Sequence, residues 1–220
     1  MTETTIGPAT RGVDAIGGVD IRIEDDASPI TRLIGRTITD SLRADSSLLP
    51  GGLEGAIAVR SHDTPQAATI SIANGTVAVS SGVFVEPDLT LTVDLNQRFA
   101  PVGEPVGAGE FAGVASALLS PPLPDWKTAA ATFWAAARSI PGIPDVLVAT
   151  TEGPEGLDQV VVGEGETHYV IAGPPELLAG IFSGADDLVA ALSTGLIGVR
   201  GTFSQLSMLV AASWKVRYDV

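Results

Sequence analysis

The sequence predicts an α+β fold, in which helices pack on one face of a mainly antiparallel sheet and enclose an apolar cavity. Three observations carry this prediction. Short segments that alternate apolar and polar residues are separated by tight turns, of which Asn74-Gly75 is the clearest. Segments with helical periodicity stand between the groups of strands. Bulky apolar residues on the helices exceed what a thin sheet needs as cover, and such layers can hold a cavity between them.

The composition limits the size and the partners of the protein. Its 220 residues, 45% of them hydrophobic, are enough for one large domain or two small ones. There is no cysteine, which excludes disulfides, thiol nucleophiles and thiolate metal sites. A net charge of −14, with only 12 Lys and Arg residues, repels phosphate backbones and makes nucleic acid an unfavourable partner.

The beginning of the chain and its apolar segments predict a cytoplasmic protein. Residues 1–10 lack the apolar core of a secretory signal. Residues 177–199 are long enough to cross a bilayer, but Asp186 and Asp187 at their centre would cost roughly 2.5–3.5 kcal/mol each there. We therefore predict buried helices and no transmembrane segment. Sparse lysine with abundant Ala, Gly and Arg is compatible with a GC-rich bacterial gene.

The first half of the chain predicts one helix and a series of strands. Residues 1–18 are polar and contain glycine, which predicts a flexible tail. Residues 19–24 alternate apolar and polar, as in an edge strand. Ser28-Pro29 opens a helix over about 29–44, with Pro at the first helical position. The strands that follow are expected at 55–60, 67–73, 76–81 and 89–94.

The second half predicts helices, further strands and an apolar end. After a Pro/Gly connector over 97–109, a short helix is expected at 110–119, and Asp125 caps another over 126–138. The remaining elements are strands at 146–150, 159–162 and 167–172, helices at about 175–182 and 186–193, a strand at 197–200 and a helix over 202–214. On that last helix the residues expected to face inward are Phe203, Leu206, Leu209, Val210 and Trp214.

An internal repeat suggests that the chain holds two similar units. Residues 48–63 and the hairpin 66–82 correspond in character to 140–153 and to a predicted hairpin over 158–173. Each copy reads as helix, Pro-Gly turn, strand, loop and hairpin. The predicted organisation is a tail over 1–18, a first α+β unit over 19–120 and a second over 121–220, packed together as one compact body.

No motif in the chain predicts a catalytic, metal or nucleotide site. Residues 107–112 match a dinucleotide fingerprint, but the Pro-containing segment before them, 100–105, cannot form the buried strand that the fingerprint requires. His62 and His168 have no neighbouring ligands at metal spacing. There is neither a nucleophile elbow nor a phosphate loop. We therefore predict no catalytic residues, no metal and no cofactor.

Bulky apolar side chains on the helices are the predicted ligand-binding residues. Helices laid on one face of a sheet hold hydrophobic ligands between the layers, and Met208 adds a flexible, polarizable side chain that suits an adaptable pocket. The C-terminal helix is expected to form one wall of this site. The ten predicted residues are Phe133, Trp134, Ile181, Phe182, Leu188, Leu192, Leu206, Met208, Leu209 and Trp214.

The stretch THYVIAGPPELLAGIFSGADDLVAALSTGLIGVRGTFSQLSML, residues 167–209, resembles the C-terminal half of the sterol carrier protein type-two family. It has that family's order of a strand, a Leu-rich helix ending in Gly, a second helix, a short Gly-bounded strand and an apolar final helix. The Asn74-Gly75 hairpin followed by PDLTLTVD, residues 87–94, is similar to the family's early strands. The resemblance extends from about 30 to 218.

This resemblance implies binding or transfer of a hydrophobic small molecule, such as a sterol, a fatty acid or an acyl chain, in a tunnel between sheet and helices. It supplies no catalytic set. The chain has about twice the length of one such domain, which implies either two degenerate units in tandem, 19–120 and 121–220, or one unit with an insertion over about 95–145. The family's peroxisomal members end in an import signal, whereas this chain ends Tyr218-Asp219-Val220.

Three function classes stay open at the level of sequence. The first is a carrier of a hydrophobic ligand. The second is a cofactor-free cyclase or isomerase acting on a polyketide-like or terpenoid intermediate, for which burial would raise the pKa of Asp125, Glu110 or Asp187, although helix capping is the default interpretation of the two aspartates. The third is a protein-interaction module with an exposed apolar patch. The sequence leaves the ligand, the reaction and the oligomeric state open.

Overall fold

The computed structural model describes residues 9–153 and 156–218, and the chain divides into two compact units between Pro122 and Leu123. That division lies two residues from the predicted boundary of 120/121. The elements of the first unit are β1 (Thr10–Ile16), β2 (Val19–Glu24), α1 (Pro29–Ala44), a short 3-10 turn (Ser46–Leu48), β3 (Gly55–Ser61), β4 (Ala67–Ala73), β5 (Thr76–Ser81), β6 (Leu89–Asp94), β7 (Ala100–Pro101), β8 (Val106–Gly107) and α2 (Gly109–Leu118).

The strands of the first unit form one mixed, mainly antiparallel sheet in the order β1-β2-β5-β4-β3-β6-β7, with β8 also paired to β6. The predicted hairpin between β4 and β5 is confirmed: Ala73 pairs with Thr76, and Asn74 and Gly75 both have positive φ, 51° and 72°. Two pairings are parallel, β2 with β5 and β3 with β6. The predicted α+β class with mainly antiparallel sheet is confirmed, whereas an enclosed apolar cavity is not shown.

Residues Thr10–Ile16 form β1, which pairs antiparallel with β2. The predicted flexible tail over 1–18 is therefore wrong for these residues, and residues 1–8 lie outside the described part of the chain. The turn at Gly17 and Gly18, with φ of 57° and 88°, reverses the chain and places β1 beside β2. The composition of residues 1–18 did not predict this strand, because its pairing depends on the backbone and the turn and not on an apolar pattern.

Helix α1 packs on the sheet against β2, β4 and β5. It lies so close to β2 that a Cβ at Gly35 would come within 2.8 Å of Ile23 Cγ1. Several hydroxyls are buried on this helix and are satisfied by carbonyl oxygens: Thr37 and Thr39 donate to the carbonyls of Leu33 and Gly35, both at 2.8 Å. Ser41 donates at 2.9 Å to the carbonyl of Leu118, at the end of α2.

The second unit consists of helices that pack on a four-stranded sheet. Its elements are α3 (Trp126–Ala137), β9 (Val146–Gly153), β10 (Gly156–Gly163), β11 (His168–Ala172), α4 (Pro175–Ser183), α5 (Leu188–Ser193), β12 (Gly198–Arg200) and α6 (Phe203–Tyr218). The strand order is β10-β9-β11-β12. The main buried cluster of this unit joins α3, α4, α5 and α6 to β9 and β11, and we call it the second-unit core.

The predicted hairpin over 158–173 is wrong. Strand β10 pairs antiparallel with β9, and β11 lies on the other side of β9 and runs parallel to it, with His168 opposite Val146 and Ala172 opposite Thr150. Sequence alternation indicates strands without naming their partners. Pairing β11 with β9 instead places two parallel strands in the centre of the sheet.

The two units share a three-strand arrangement. In each, an antiparallel pair, β3 with β4 or β9 with β10, is extended by a strand parallel to the first member, β6 or β11. Strand β11 therefore corresponds to β6, and not to β5 as the predicted repeat has it. In the first unit β5 covers the outer side of β4, whereas the sheet of the second unit ends at β10. That the units are degenerate copies, packed as one body, stays a prediction.

The inward face of the C-terminal helix agrees with the predicted one only in part. Helix α6 buries Leu209, Ala212, Ser213 and Arg217, while Phe203 is 92% and Trp214 50% exposed. Leu206, Leu209 and Val210 pack against the second-unit core as predicted, and the apolar pattern does not reveal the two small residues and the arginine that complete the buried stripe. Arg217 donates through Nη1 to the carbonyls of Gly184 and Ala185, at 3.0 and 2.8 Å.

A carboxylate connects the starts of the parallel strands β9 and β11. The side chain of Asp145 accepts from the Thr167 amide at 3.0 Å and from its hydroxyl at 2.7 Å. These hydrogen bonds, the hydroxyl first, hold the pKa of Asp145 below its usual 3.8. A carboxylate with a lowered folded-state pKa stabilises the fold above its unfolded pKa, and this stabilisation is lost as the pH falls through the folded-state pKa.

We therefore expect Asp145→Asn to lower the stability of the second unit at pH 7, with a deficit relative to wild type that shrinks as the pH falls from about 5 towards 2. Urea unfolding followed by tryptophan fluorescence measures this, because Trp126, Trp134 and Trp214 all lie in the second unit. The control is Glu164→Gln, which removes one exposed charge from the same connection. A deficit that stays constant with pH contradicts the electrostatic role of Asp145.

Candidate functional site

A groove of about 390 Å³ lies at one end of the second-unit sheet. This volume falls in the range of small-molecule sites in proteins. The walls are contributed by the end of β9, the start of β10, the end of β11 and the turn into α4. The lining residues are Thr150, Thr151, Glu152, Leu157, Ala172, Gly173, Pro174 and Pro175.

The parallel pairing of β9 and β11 produces this groove. Because parallel strands end at the same edge of a sheet, the ends of β9 and β11 meet there. The Gly173 amide donates to the Thr150 carbonyl at 3.1 Å, which continues the pairing by one residue. Pro174 and Pro175 then end the strand and begin α4, because proline cannot donate to the ladder but suits the first helical turn.

The turn at Gly173 has a steric requirement. A Cβ at this position would lie 2.8 Å from Ile197 Cγ2 and 3.5 Å from the Leu196 carbonyl oxygen. The chain therefore passes directly over the start of β12, which only glycine permits without displacing Ile197. The Gly-Pro-Pro sequence after an apolar strand is the signal for this turn.

The groove is apolar with a small acidic region. Leu157, Ala172 and the two prolines provide hydrocarbon surface, and Leu157 is 68% exposed. Its polar side chains include Thr150, whose hydroxyl donates at 3.5 Å to the Ile171 carbonyl, and the exposed Glu152, whereas Thr151 is buried. Among the described lining residues none is basic. Such a lining can hold a hydrocarbon body and offer hydrogen bonds to a neutral hydroxyl, but it repels an anionic group.

The ten residues predicted to bind ligand lie elsewhere, mostly in the second-unit core. Phe133, Trp134, Ile181, Phe182, Leu188 and Leu209 are each at most 1% exposed. Leu192, Leu206 and Met208 are half-buried, and Trp214 is exposed. The Phe133 and Phe182 rings pack at a centroid distance of 5.3 Å. None of the ten lines the groove, and their role in ligand binding stays a prediction.

Two buried hydroxyls are the polar feature of this region. Tyr169 OH on β11 and Ser213 Oγ on α6 have no hydrogen-bond partner among the described residues. Burial raises the pKa of the Tyr169 hydroxyl above 10.0, so it is present as a neutral donor at physiological pH. Tyr169 belongs to the second-unit core, so its hydroxyl can still donate or accept a hydrogen bond there.

The carboxylates considered for an enzyme act as helix caps or lie on the surface. Asp125 accepts from the amides of Lys127 and Thr128 at 3.1 and 3.0 Å, and the Thr128 amide is the main cause of its lowered pKa. Asp187 accepts from the Ala190 amide at 2.8 Å, and Glu110 is exposed in the first turn of α2. The raised pKa that a buried general base requires is therefore contradicted for Asp125.

The described ranges contain no group of three or more His, Asp or Glu residues placed to hold a metal ion. His62 lies beside Asp63, with Nδ1 3.8 Å from Oδ1, and His168 Nε2 lies 3.2 Å from the Gly165 carbonyl. None of the described helices combines the length and the apolar character that crossing a bilayer requires. The apolar segment 177–199 is instead divided among α4, α5 and β12.

No protein-family model matches the sequence, and no curated protein matches it. Three solved structures are similar to a part of the chain. Palmitated SCP2L2 from Aedes aegypti is 15% identical, with a TM-score of 0.32, over 40% of this chain and 88% of that one. A crystal structure of sterol carrier protein 2 is 20% identical, with a TM-score of 0.30, over 44% and 97%.

The third is a conserved hypothetical protein from Thermus thermophilus, described as possibly a sterol carrier protein. It is 16% identical, with a TM-score of 0.28, over 43% of this chain and 85% of that one. The likeness is partial. The predicted resemblance to the sterol carrier protein type-two family thus has structural counterparts over 40–44% of this chain, at 15–20% identity.

Proposed function

We propose that the protein binds a hydrophobic small molecule with a neutral polar end, and that the groove of the second unit is the binding site. The observation that carries this proposal is the lining of the groove: hydrocarbon from Leu157, Ala172, Pro174 and Pro175, exposed at the end of a sheet in a space of about 390 Å³. Exposed hydrocarbon in a concave surface of this size favours an apolar ligand, since ligand binding removes that surface from water.

The charge of the groove narrows the ligand class. Glu152 is the one charged residue among the described lining, and the chain as a whole carries −14. A fatty-acid carboxylate placed here would meet a like charge and no cation. A sterol-like or terpenoid alcohol would instead place its hydroxyl near Glu152 and Thr150, where acceptors are available. Neutral ligands are therefore favoured over fatty-acid anions.

The first test is a titration with two fluorescent probes, a neutral sterol analogue and a fatty acid. We expect wild type to bind the sterol analogue more tightly. Ala172→Trp, a substitution at an exposed position, fills the groove and should weaken sterol binding by at least about tenfold, whereas Val189→Trp, on exposed α5 surface of the same unit, should not. Glu152→Gln should shift the preference towards the fatty acid by about threefold.

Two outcomes contradict the proposal. Wild type that binds neither probe has no such site. If Ala172→Trp binds the sterol analogue as tightly as wild type does, the groove is not the binding site. If Leu209→Ala then changes the affinity for the sterol analogue, the ligand lies among the ten predicted residues instead. Native mass spectrometry of freshly purified protein adds an unbiased readout, because a co-purifying mass identifies a natural ligand directly.

A further inference from the structure

The sheet edges of this protein are unequally protected against pairing with another strand. An edge strand exposes unpaired amide and carbonyl groups, and proteins block such edges with bulges, prolines or very short strands. Among the described strands, β1 carries a register shift between Gly12 and Asp14. Strand β7 has two residues, one of them Pro101, and β12 has three. These three edges follow the usual rule.

The fourth edge, β10, has none of these protections. It runs for eight residues, and its register with β9 is continuous from Gly156 opposite Gly153 to Gly163 opposite Val146. It contains neither proline nor lysine. Its one charged residue, Asp158, is paired with Lys127 Nζ at 2.8 Å. The outer side of β10, between the positive-φ residues Gly156 and Gly163 at its two ends, is therefore an unblocked template for another strand.

The side chains of β10 show which face of this strand is apolar and exposed. Val160 and Val162 pack against the second-unit core. Leu157, Gln159 and Val161 point to the opposite face, since side chains alternate along a strand, and Leu157 and Val161 are 68% and 55% exposed. Two large apolar side chains thus flank Gln159 on this face, and none of the three carries a charge.

We propose that β10 is a dimerisation edge, at which it pairs antiparallel with β10 of a second copy of this chain about a two-fold axis at Gln159. In this register Leu157 faces Val161 of the second copy. The two-fold axis also places Val161 of the first copy opposite Leu157 of the second, so that both copies use the same surface, as in an isologous interface. Gln159 faces its own equivalent, and an amide can donate and accept in the same pair. The two exposed apolar residues of each copy cover those of the other.

The charges on β10 are compatible with this register. Asp158 faces Val160 of the second copy, so the two Asp158 carboxylates are diagonal neighbours instead of directly opposed. Each also keeps its own Lys127 partner on the helix-covered face. A second observation favours an added strand here: in the first unit the corresponding strand, β4, is covered on its outer side by β5, and the second unit has no such strand among its described residues.

The absence of cysteine gives this proposal a direct test. A single Gln159→Cys variant can form a disulfide only with the same position of a second copy, and directly opposed residues of antiparallel strands have Cα atoms about 4.5–5.5 Å apart, within the range that disulfides span. We expect copper-catalysed oxidation to convert most of Gln159→Cys to covalent dimer on a non-reducing gel. Val106→Cys, 71% exposed on β8, is the control and should stay monomeric.

The same cross-linking experiment also tests the register of the two paired β10 strands. Leu157→Cys alone and Val161→Cys alone should cross-link poorly, since each lies four residues from its equivalent along the paired strands, whereas a mixture of the two should cross-link well. Wild type should also be a dimer by light scattering, and Val161→Lys should raise the dimer dissociation constant at least about tenfold while keeping its circular dichroism spectrum.

Three results overturn the proposal. The first is wild type that is monomeric at about 100 µM, a concentration at which a stable dimer forms. The others are a dimer that Val161→Lys leaves unchanged, and a Gln159→Cys variant that cross-links no better than Val106→Cys. Cross-linking needs no ligand, so these results are independent of whether the groove binds a hydrophobic molecule. A strand of another protein bound at β10 would give monomeric wild type, and so counts against self-pairing.

Discussion

Phe133→Ala is expected to lower the free energy of unfolding of the second unit by about 3–5 kcal/mol. Phe133 is 1% exposed, and its ring packs 5.3 Å from that of Phe182 and 6.4 Å from that of Trp134. Its neighbours on α3 are the buried residues Ala129, Ala130 and Ala137, which are too small to move into the space that the ring leaves. The variant should therefore show the full destabilisation that a cavity causes.

The measurement is urea unfolding followed by tryptophan fluorescence, which reports on the second unit because all three tryptophans lie there. Phe203→Ala is the matched control: it removes the same ring from a position that is 92% exposed, and should change the free energy by no more than about 0.5 kcal/mol. A loss below about 1.5 kcal/mol for Phe133→Ala would indicate existing empty space beside the ring, as the predicted apolar cavity requires.

Arg217→Met is expected to cost about 3 kcal/mol, the second large effect. The guanidinium of Arg217 is buried and donates two charge-assisted hydrogen bonds, to the Gly184 and Ala185 carbonyls that follow α4. Each such bond is worth about 1.5–3 kcal/mol, and methionine leaves both carbonyls without this donor. The end of α6 would lose its attachment to the end of α4.

The control for this variant lies two residues away on the same helix. Lys215 is exposed and donates through Nζ to Ser139 Oγ at 2.8 Å, so Lys215→Met removes an equivalent charge and hydrogen bond in water, where such contacts contribute little. We expect a change within about 0.5 kcal/mol. Equal effects of the two variants would mean that Arg217 contributes only its charge, and not its buried hydrogen bonds.

The local elements of this fold could be predicted from the sequence because each is specified by nearby residues. The Asn74-Gly75 turn requires positive φ at both positions and fixes the register of β4 and β5. Ser28-Pro29 marks the start of α1, and Asp125 and Asp187 cap α3 and α5 as predicted. In each case the chemistry of two or three consecutive residues decides the backbone.

Partners distant in sequence could not be predicted in the same way. The alternation of β11 is equally compatible with pairing to β10 or to β9, and the choice depends on how the sheet packs under the helices. The buried face of α6 was predicted only in part, because Arg217 donates to carbonyls that follow α4, which no pattern within α6 reveals. Strand β1 has no regular alternation of apolar and polar residues from which it could be predicted.

The groove was missed for a related reason. Its lining comes from three strand ends and a turn, and its residues are mostly small or are prolines, whereas the predicted site consisted of bulky apolar residues on helices. Those bulky residues form the second-unit core. The size of a side chain indicates how much surface it can bury, but the position of a groove depends on where strands end together.

The buried hydroxyls of α1 have a consequence for the order of folding. This helix contains Thr31, Thr37, Thr39 and Ser41 together with β-branched isoleucines, all residues of low intrinsic helix propensity. With 16 residues and such a composition, the isolated segment is a poor helix in water. Gly35 fits closely against Ile23 of β2, and Ser41 donates to the Leu118 carbonyl at the end of α2. We therefore expect α1 to form together with the rest of the first unit, and its amides to become accessible to hydrogen exchange only when that unit opens as a whole.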